Sequence, residues 1–402
     1  MKYLIILADG MADEPIEQLG GKTPIQYAHT PHINHLASKS RMGMYNTVPD
    51  GFHPGSEIAN LTVLGYDVAK VFEGRASLEA ASMGIDIEPD ELSLRCNLIC
   101  IENGNIKNHS AGHISNEEAD ELIQFLQKEL GSETINFFTG VSYRHLLKIK
   151  GGIKNIKCTP PHDVPGTPST NVMISANDSE SENTANLLNE LILKSQTLLE
   201  NHPVNIKRAA QGKDKANSIW PWSPGYKPTM KTLQEVYGIK SGAVISAVDL
   251  IRGIGVYAGL EVIEVEGATG LYDTNYEGKA QAAIDALRKH DFVYLHIEAS
   301  DEAGHEGNVD LKVKTVEYLD SRVVKTIMNE ISTWDAPVRV ALLPDHPTPC
   351  AIRTHTHKAI PFMIFDKNMR PDGIATYDEF SAENGSYGLI QADEFMQLLM
   401  EK

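Results

Sequence analysis

The chain has 402 residues, 42% of them hydrophobic, which is enough for two or three domains with substantial cores. Its 36 Lys and Arg stand against 54 Asp and Glu, and the formal charge of −18 argues against nonspecific nucleic-acid binding, though not against a small anionic substrate. No apolar run approaches the ~20 residues of a membrane span.

The opening MKYLIILADG (1–10) reads as a first strand at 2–8. It does not read as a signal peptide, because Asp9 follows at once and no small-residue cleavage site does. DGFHPGSEIANLTVLGYD (50–67) sets a Pro-Gly turn before Ser56 and a helical pattern after it. The middle of the chain changes character. ELSLRCNLICIENGNI, NFFTGVSYRHLLKIKGGIKNIKC and ANSIWPW are strand-like, one long helix lies near 181–200, and TPPHDVPGTPST (159–170) reads as an ordered loop. A helix at 276–290, strand FVYLHIE (292–298), helix 311–333, strand RVALLPD (339–345), strand PFMIFD (361–366) and a helical tail at 393–402 complete the chain.

Short, nearly continuous apolar runs are how strands buried on both faces look, as in a parallel sheet. Their alternation with helices marks an α/β fold. The expected architecture is a mostly parallel sheet flanked by helices, formed by 1–70 and 226–402, with a smaller α+β domain inserted at 71–225. Cys96, Cys100, Cys158 and Cys350 make no disulfide framework, and the CxxxC spacing of the first two does not suit structural zinc. A reducing cytoplasm is the expected setting.

Three strands deliver chemistry to one edge. Asp9 follows the first strand, Asp301 and His305 follow the strand at 292–298, and Asp345 and His346 follow the strand at 339–344. Ligand sites in open α/β sheets form outside the carboxyl ends of strands. His355, in the loop before 361–366, can return to that edge, whereas His357 is read as a surface or supporting residue. Carboxylates mixed with imidazoles suit Mn²⁺ or Zn²⁺, while Mg²⁺ prefers oxygen ligands. So many ligands are too many for one ion and suit two, arranged to clamp a phosphoryl group in transfer. Taken singly, each has an ordinary use, as a helix cap, a turn former or a surface pair. Ser56 at a helix start would ordinarily be an N-cap; beside a metal pair it can serve as a nucleophile.

The motifs ADG, PGSEIANLTVLGYD, ASDEAGHEGN, PDH and THTHKAIPF, in that order, resemble the archaeal-type cofactor-independent phosphoglycerate mutases of the alkaline phosphatase superfamily. FEGRASLEAASMGIDI, LSLRCNLI and TGVSYRHLL match its middle section. The resemblance implies an alkaline-phosphatase-like sheet with an inserted substrate-clamping domain. It implies one ion on Asp9, Ser56, Asp345 and His346, and a second on Asp301, His305 and His355. Mn²⁺ is expected ahead of Zn²⁺ or Mg²⁺, with no 2,3-bisphosphoglycerate. Ser56 would carry the phosphoryl group between 3-phosphoglycerate and 2-phosphoglycerate.

Basic groups should hold the acid groups of such a substrate; the candidates are Arg75, Arg95, Arg144, His109, His113 and His162, with Arg144 foremost because it lies in a matching motif. Two stretches depart from the family's pattern. NHSAGHI (108–114) carries His109, Ser110 and His113 where the family is arginine-rich, and ANSIWPW (216–222) puts Trp220, Pro221 and Trp222 near an expected arginine. The alternatives are therefore a related metal-dependent phosphotransferase such as a homoserine kinase, a phosphomonoesterase, or a metal-binding protein without catalysis. The expected partner is a small phosphorylated anion, with neither nucleic acid nor membrane, and the oligomeric state is open.

Overall fold

In a computed structural model, which describes residues 1–401, the chain divides into two units, Met1–Phe72 with Thr229–Lys402, and Glu73–Pro228. The first unit is built on eight strands: β1 (Lys2–Ala8), β2 (Ser40–Asn46), β3 (Gly242–Ile245), β4 (Glu261–Val262), β5 (Phe292–Ile297), β6 (Val338–Leu343), β7 (Ile360–Phe365) and β8 (Gly388–Gln391). They line up as β4-β3-β5-β1-β6-β7-β2-β8. Every pairing is parallel except β6 with β7 and β7 with β2. The antiparallel β7 matters for the site. Its first residues lie at the carboxyl end of β6, so the loop entering it, with His355, comes back to the edge where β1, β5 and β6 end.

Period-two alternation sorts the strand residues. Leu4, Ile6 and Ala8 of β1, Val293, Leu295 and Ile297 of β5, and Val340 and Leu342 of β6 enter one apolar core. Helix Tyr276–Lys289 covers this core with Ala280, Ala283, Ile284 and Leu287. The helix expected over 311–333 is not continuous. It runs as Val309–Tyr318, a widened π turn at Leu319–Val324, and Lys325–Ile331. The π turn carries Asp320, whose buried carboxylate accepts from the Ile33 amide at 2.6 Å at the start of helix Pro31–Ala37. A terminal amide that has no partner within its own helix is thereby satisfied.

The second unit is an antiparallel sheet under helices. Strands Asn105–Asn108, Glu91–Glu102, Arg144–Lys150 and Ile135–Val141 lie in that order, and Ser218–Gly225 pairs the free side of Glu91–Glu102. Pro221 fits there because Ser218–Gly225 pairs on one side alone and the missing N–H interrupts no second ladder. The middle holds more helix than the one expected. Besides Glu182–Leu199 there are Asn116–Leu130 and Pro203–Ala210. Asn116–Leu130 starts behind a Ser115 cap and buries Ala119, Leu122, Ile123 and Leu126 at helical spacing. All four cysteines are free, and among the described residues no helix is long and apolar enough to cross a membrane.

Candidate active site

Asp9, Asp345 and His346 sit immediately beyond the ends of β1 and β6, and all three are buried. Asp301 and His305 stand one turn apart on helix Ala299–Glu306, which begins just after β5. One face of that helix therefore presents both, with His305 Nε2 3.2 Å from Asp301 Oδ2. His355 Nε2 lies 3.4 Å from Asp301 Oδ1 and 2.9 Å from His305 Nε2, and its ring stacks on that of His346 at 3.9 Å. His346 Nε2 is 3.4 Å from Asp345 Oδ2 and 3.7 Å from Asp9 Oδ1. Gly10 makes this crowding possible. It has φ +60, and a Cβ there would stand 2.4 Å from Asp301 Oδ1.

Ser56 is not a cap. Gly55 occupies the N-cap position of helix Ser56–Val63, and Ser56 is its first helical residue. Its Oγ turns instead to His346 Nε2 at 3.1 Å. His357 stays outside the cluster, on the Phe52 carbonyl at 2.8 Å.

Several observations test whether these residues suit a cation pair. Asp9 Oδ1 is buried and has no hydrogen-bond partner among the described residues. Burial, then the charges of Asp345, Asp301 and Glu298, raises the Asp9 pKa well above the carboxylate range. Backbone carbonyls of Arg353 and Pro54 accept from His305 Nδ1 and His355 Nδ1, at 3.0 and 2.6 Å. A carbonyl can only accept, so each Nδ1 bears a hydrogen; each Nε2 donates to Asp301 while its ring is protonated and offers a lone pair to a cation once it is not. That is the way ligating histidines are held. For Asp301, burial raises the pKa, but hydrogen bonds from His305 and His355 outweigh it and leave the acid well below its usual range. The Asp301 contact in turn lifts His305 to about 9.

Two groups of donor atoms lie within 4.8 Å of one another: Asp9, Asp345 and His346, and Asp301, His346 and His355. His346 belongs to both. His305 joins the second through its contacts to Asp301 and His355, so the donor chemistry fits two divalent ions.

Other residues of the site were not singled out from sequence. Thr348 donates to Asp301 Oδ1 at 2.5 Å and contacts His346 Nδ1 at 3.3 Å. The buried Lys312 ammonium bonds Asp13 at 2.8 Å and the Thr348 carbonyl at 2.7 Å, tying the segment after Asp9 to the segment after His346. Asn60 touches Asp345, His296 touches Asp9, and Tyr294 backs Asn60. Buried polar residues inside apolar runs were the available signal.

The six basic candidates lie in the second unit and form a group of their own. In register, Asn97 faces Arg144 and Arg95 faces Trp222. The Arg95 guanidinium lies 4.2 Å over the Trp222 ring, and its Nε is 3.0 Å from Glu79. His162 meets the edge of Trp222 at 5.3 Å and His109 at 6.0 Å. His109 and His113 both meet Tyr143, at 5.6 and 6.1 Å, and Arg144 lies 6.0 Å from the same ring. Arg95 is pushed down by burial, an effect that Glu79 opposes and the charges of Arg75 and Arg144 reinforce. His109 is lowered by burial and by its two neighbouring imidazoles. The backbone departs from ordinary geometry here too, with Ala111, His113, Ser142 and Ser223 at φ 48, 53, 55 and 53.

A curated relative from Methanosarcina acetivorans, named 2,3-bisphosphoglycerate-independent phosphoglycerate mutase, is 50% identical over 403 residues and covers 100% of both chains. The chain belongs to the 2,3-bisphosphoglycerate-independent phosphoglycerate mutase family. The family's sequence profile matches residues 37–205. A bacterial relative from Geobacter sulfurreducens, named as a probable mutase of this kind, is 46% identical with 100% of both chains covered. Among solved structures, a Pyrococcus horikoshii protein superposes with a TM-score of 0.83 at 30% identity, over 99% of this chain and 97% of that one. The cofactor-independent phosphoglycerate mutase of Thermoplasma acidophilum gives 0.71 at 26%, over 100% and 99%. As a member of this mutase family, the chain is an enzyme with the expected α/β fold.

Proposed function

We propose that this family member interconverts 3-phosphoglycerate and 2-phosphoglycerate through a phosphoserine at Ser56. The observation that carries the reading is the direction of Ser56 Oγ, which is turned from its own helix into the acid and imidazole cluster. The residues that would hold one ion are Asp9, Ser56, Asp345 and His346; those for the other are Asp301, His305 and His355. When bound, such a pair supplies positive charge for the phosphoryl oxygens and makes a serine hydroxyl a better nucleophile.

The chain's own part is transfer and placement. Ser56 Oγ forms a bond to phosphorus as the bond to the substrate's 3-oxygen breaks, and the serine proton ends on that oxygen. In the second transfer the 2-hydroxyl takes the phosphoryl group and its proton returns to Ser56 Oγ, so the sum is an isomerisation. Arg75, Arg95, Arg144, His109, His113 and His162 are the proposed holders of the substrate's acid groups. Arginine forks suit carboxylate and phosphate.

The test is an enolase-coupled assay on 3-phosphoglycerate with Mn²⁺, paired with mass spectrometry of trapped protein. Formation of 2-phosphoglycerate and phosphate on Ser56 is expected. No product, together with ATP-dependent phosphorylation of homoserine, would replace the reading with a kinase. Bound metal without phosphoserine or turnover would reduce it to metal binding.

A further inference from the structure

Strand β5 reads FVYLHI, and two of its six residues are polar at one end yet fully enclosed. Tyr294 is 1% exposed and His296 0%. Their neighbours Val293, Leu295 and Ile297 fill the main core, so Tyr294 and His296 point to the opposite face. Ile5 pairs with Tyr294 and Leu7 with His296, which makes Asp9 the next residue of β1 on that same face. Leu7 also pairs with Leu343, and Asp345 follows by the same parity.

A buried phenol or imidazole is costly without a partner. Each of these has one, and each partner leads to a different carboxylate. Tyr294 donates to Asn60 Oδ1 at 2.5 Å. That leaves Asn60 Nδ2 to donate to Asp345 Oδ2 at 2.9 Å and to the Ser56 carbonyl at 2.8 Å. With the amide reversed, its oxygen would face a carboxylate and another carbonyl, so those two acceptors set its orientation and the Tyr294 hydroxyl, donating to the amide oxygen, anchors it there. On the other branch, an ionised Asp9 carboxylate can only accept, so a neutral His296 carries its hydrogen on Nε2 and its Nδ1 accepts from Ser246 Oγ at 3.1 Å, while that oxygen accepts from the Val248 amide at 3.0 Å. His296 Nε2 donates to Asp9 Oδ2 at 2.9 Å. Asp9 Oδ1 is left turned toward His346.

We infer that this face of β5 aims the two carboxylates shared by the nucleophile's ion site: Tyr294 acts through Asn60 on Asp345 and on the start of the Ser56 helix, and His296 acts on Asp9. Both are positioning residues. The inference rests on the metal reading above, and its test separates the two.

Metal-stripped wild type, Tyr294→Phe, His296→Leu and His296→Gln are titrated calorimetrically with Mn²⁺, and each metal-free protein is melted. Tyr294→Phe keeps the ring and removes only the hydroxyl. The expected result is Mn²⁺ binding about 10–100-fold weaker in Tyr294→Phe and His296→Leu, the usual scale for partners that orient metal ligands. His296→Gln should recover most of it, because its amide can donate to Asp9. At saturating Mn²⁺, kcat falls while KM holds. Wild-type affinity in Tyr294→Phe and His296→Leu would overturn the inference, as would a lowered metal-free melting temperature with unchanged Mn²⁺ binding, or His296→Gln as weak as His296→Leu. No Mn²⁺ binding by wild type would instead remove the metal reading on which the inference stands.

Discussion

The two units solve opposite electrostatic problems. In the first, three carboxylates and three imidazoles are packed against one another, with His346 meeting Ser56 and with Asp9, Asp345 and His346 at 1% exposure or less. Such a group repels itself unless positive charge joins it, and its parts are held by hydrogen bonds from buried partners on several strands. In the second, Arg95, Arg144, His109, His113 and His162 gather around Tyr143 and Trp222, and Arg144, His113 and His162 are exposed. Solvent and Glu79 moderate that group, and its rings meet edge to face. Under the proposed function, the acidic nest takes the metal ions and the basic one the substrate's acid groups.

The largest expected effect comes from breaking the first nest at its nucleophile. Ser56→Ala should reduce turnover by about 10⁴-fold or more, the scale seen when a nucleophile is removed, while the melting temperature is unchanged. Retained turnover would exclude phosphoserine. Asp301→Asn should follow, with activity down ~10²–10³-fold and one Mn²⁺ per chain lost by metal analysis, since a ligand and its hold on His305 and His355 go together.

The second unit should respond in a different parameter. Arg144→Ala is expected to raise KM for 3-phosphoglycerate about 10–100-fold with kcat little changed, equivalent to one lost charge-assisted hydrogen bond. A fall in kcat at constant KM would erase the proposed division of labour between the units.

The smallest effect is a pH dependence of stability in the second unit. Burial pushes His145 from 6.5 down to about 3. Between those values the unfolded chain binds a proton that the folded chain refuses, so stability falls as pH drops through that window and is fully present above 6.5. His145→Leu should lose less melting temperature than wild type between pH 7 and pH 5.

Much of this was legible from residues alone. β1, β5, β6 and β7 follow from apolar runs, because a strand buried on both faces leaves that mark. The acid and imidazole residues followed from their places at strand ends and from the family's ordered motifs. The short strand β3 and the edge strands β4 and β8 did not announce themselves, because a few residues carry too little period. Helix Asn116–Leu130 did carry its cap and its apolar spacing; it lay in a stretch read for its strands.

What the sequence by itself determined was a set of residue types at strand ends, with a serine behind a Pro-Gly turn. Only the tertiary structure decided that β7 runs antiparallel and brings His355 home, that Gly55 and not Ser56 takes the cap position, and that Tyr294 and His296 aim polar atoms out of a run that reads as core. The reason is physical. Local pattern reports how a segment meets water, whereas the partner of a buried hydroxyl or imidazole is chosen by register and packing among strands far apart in the chain.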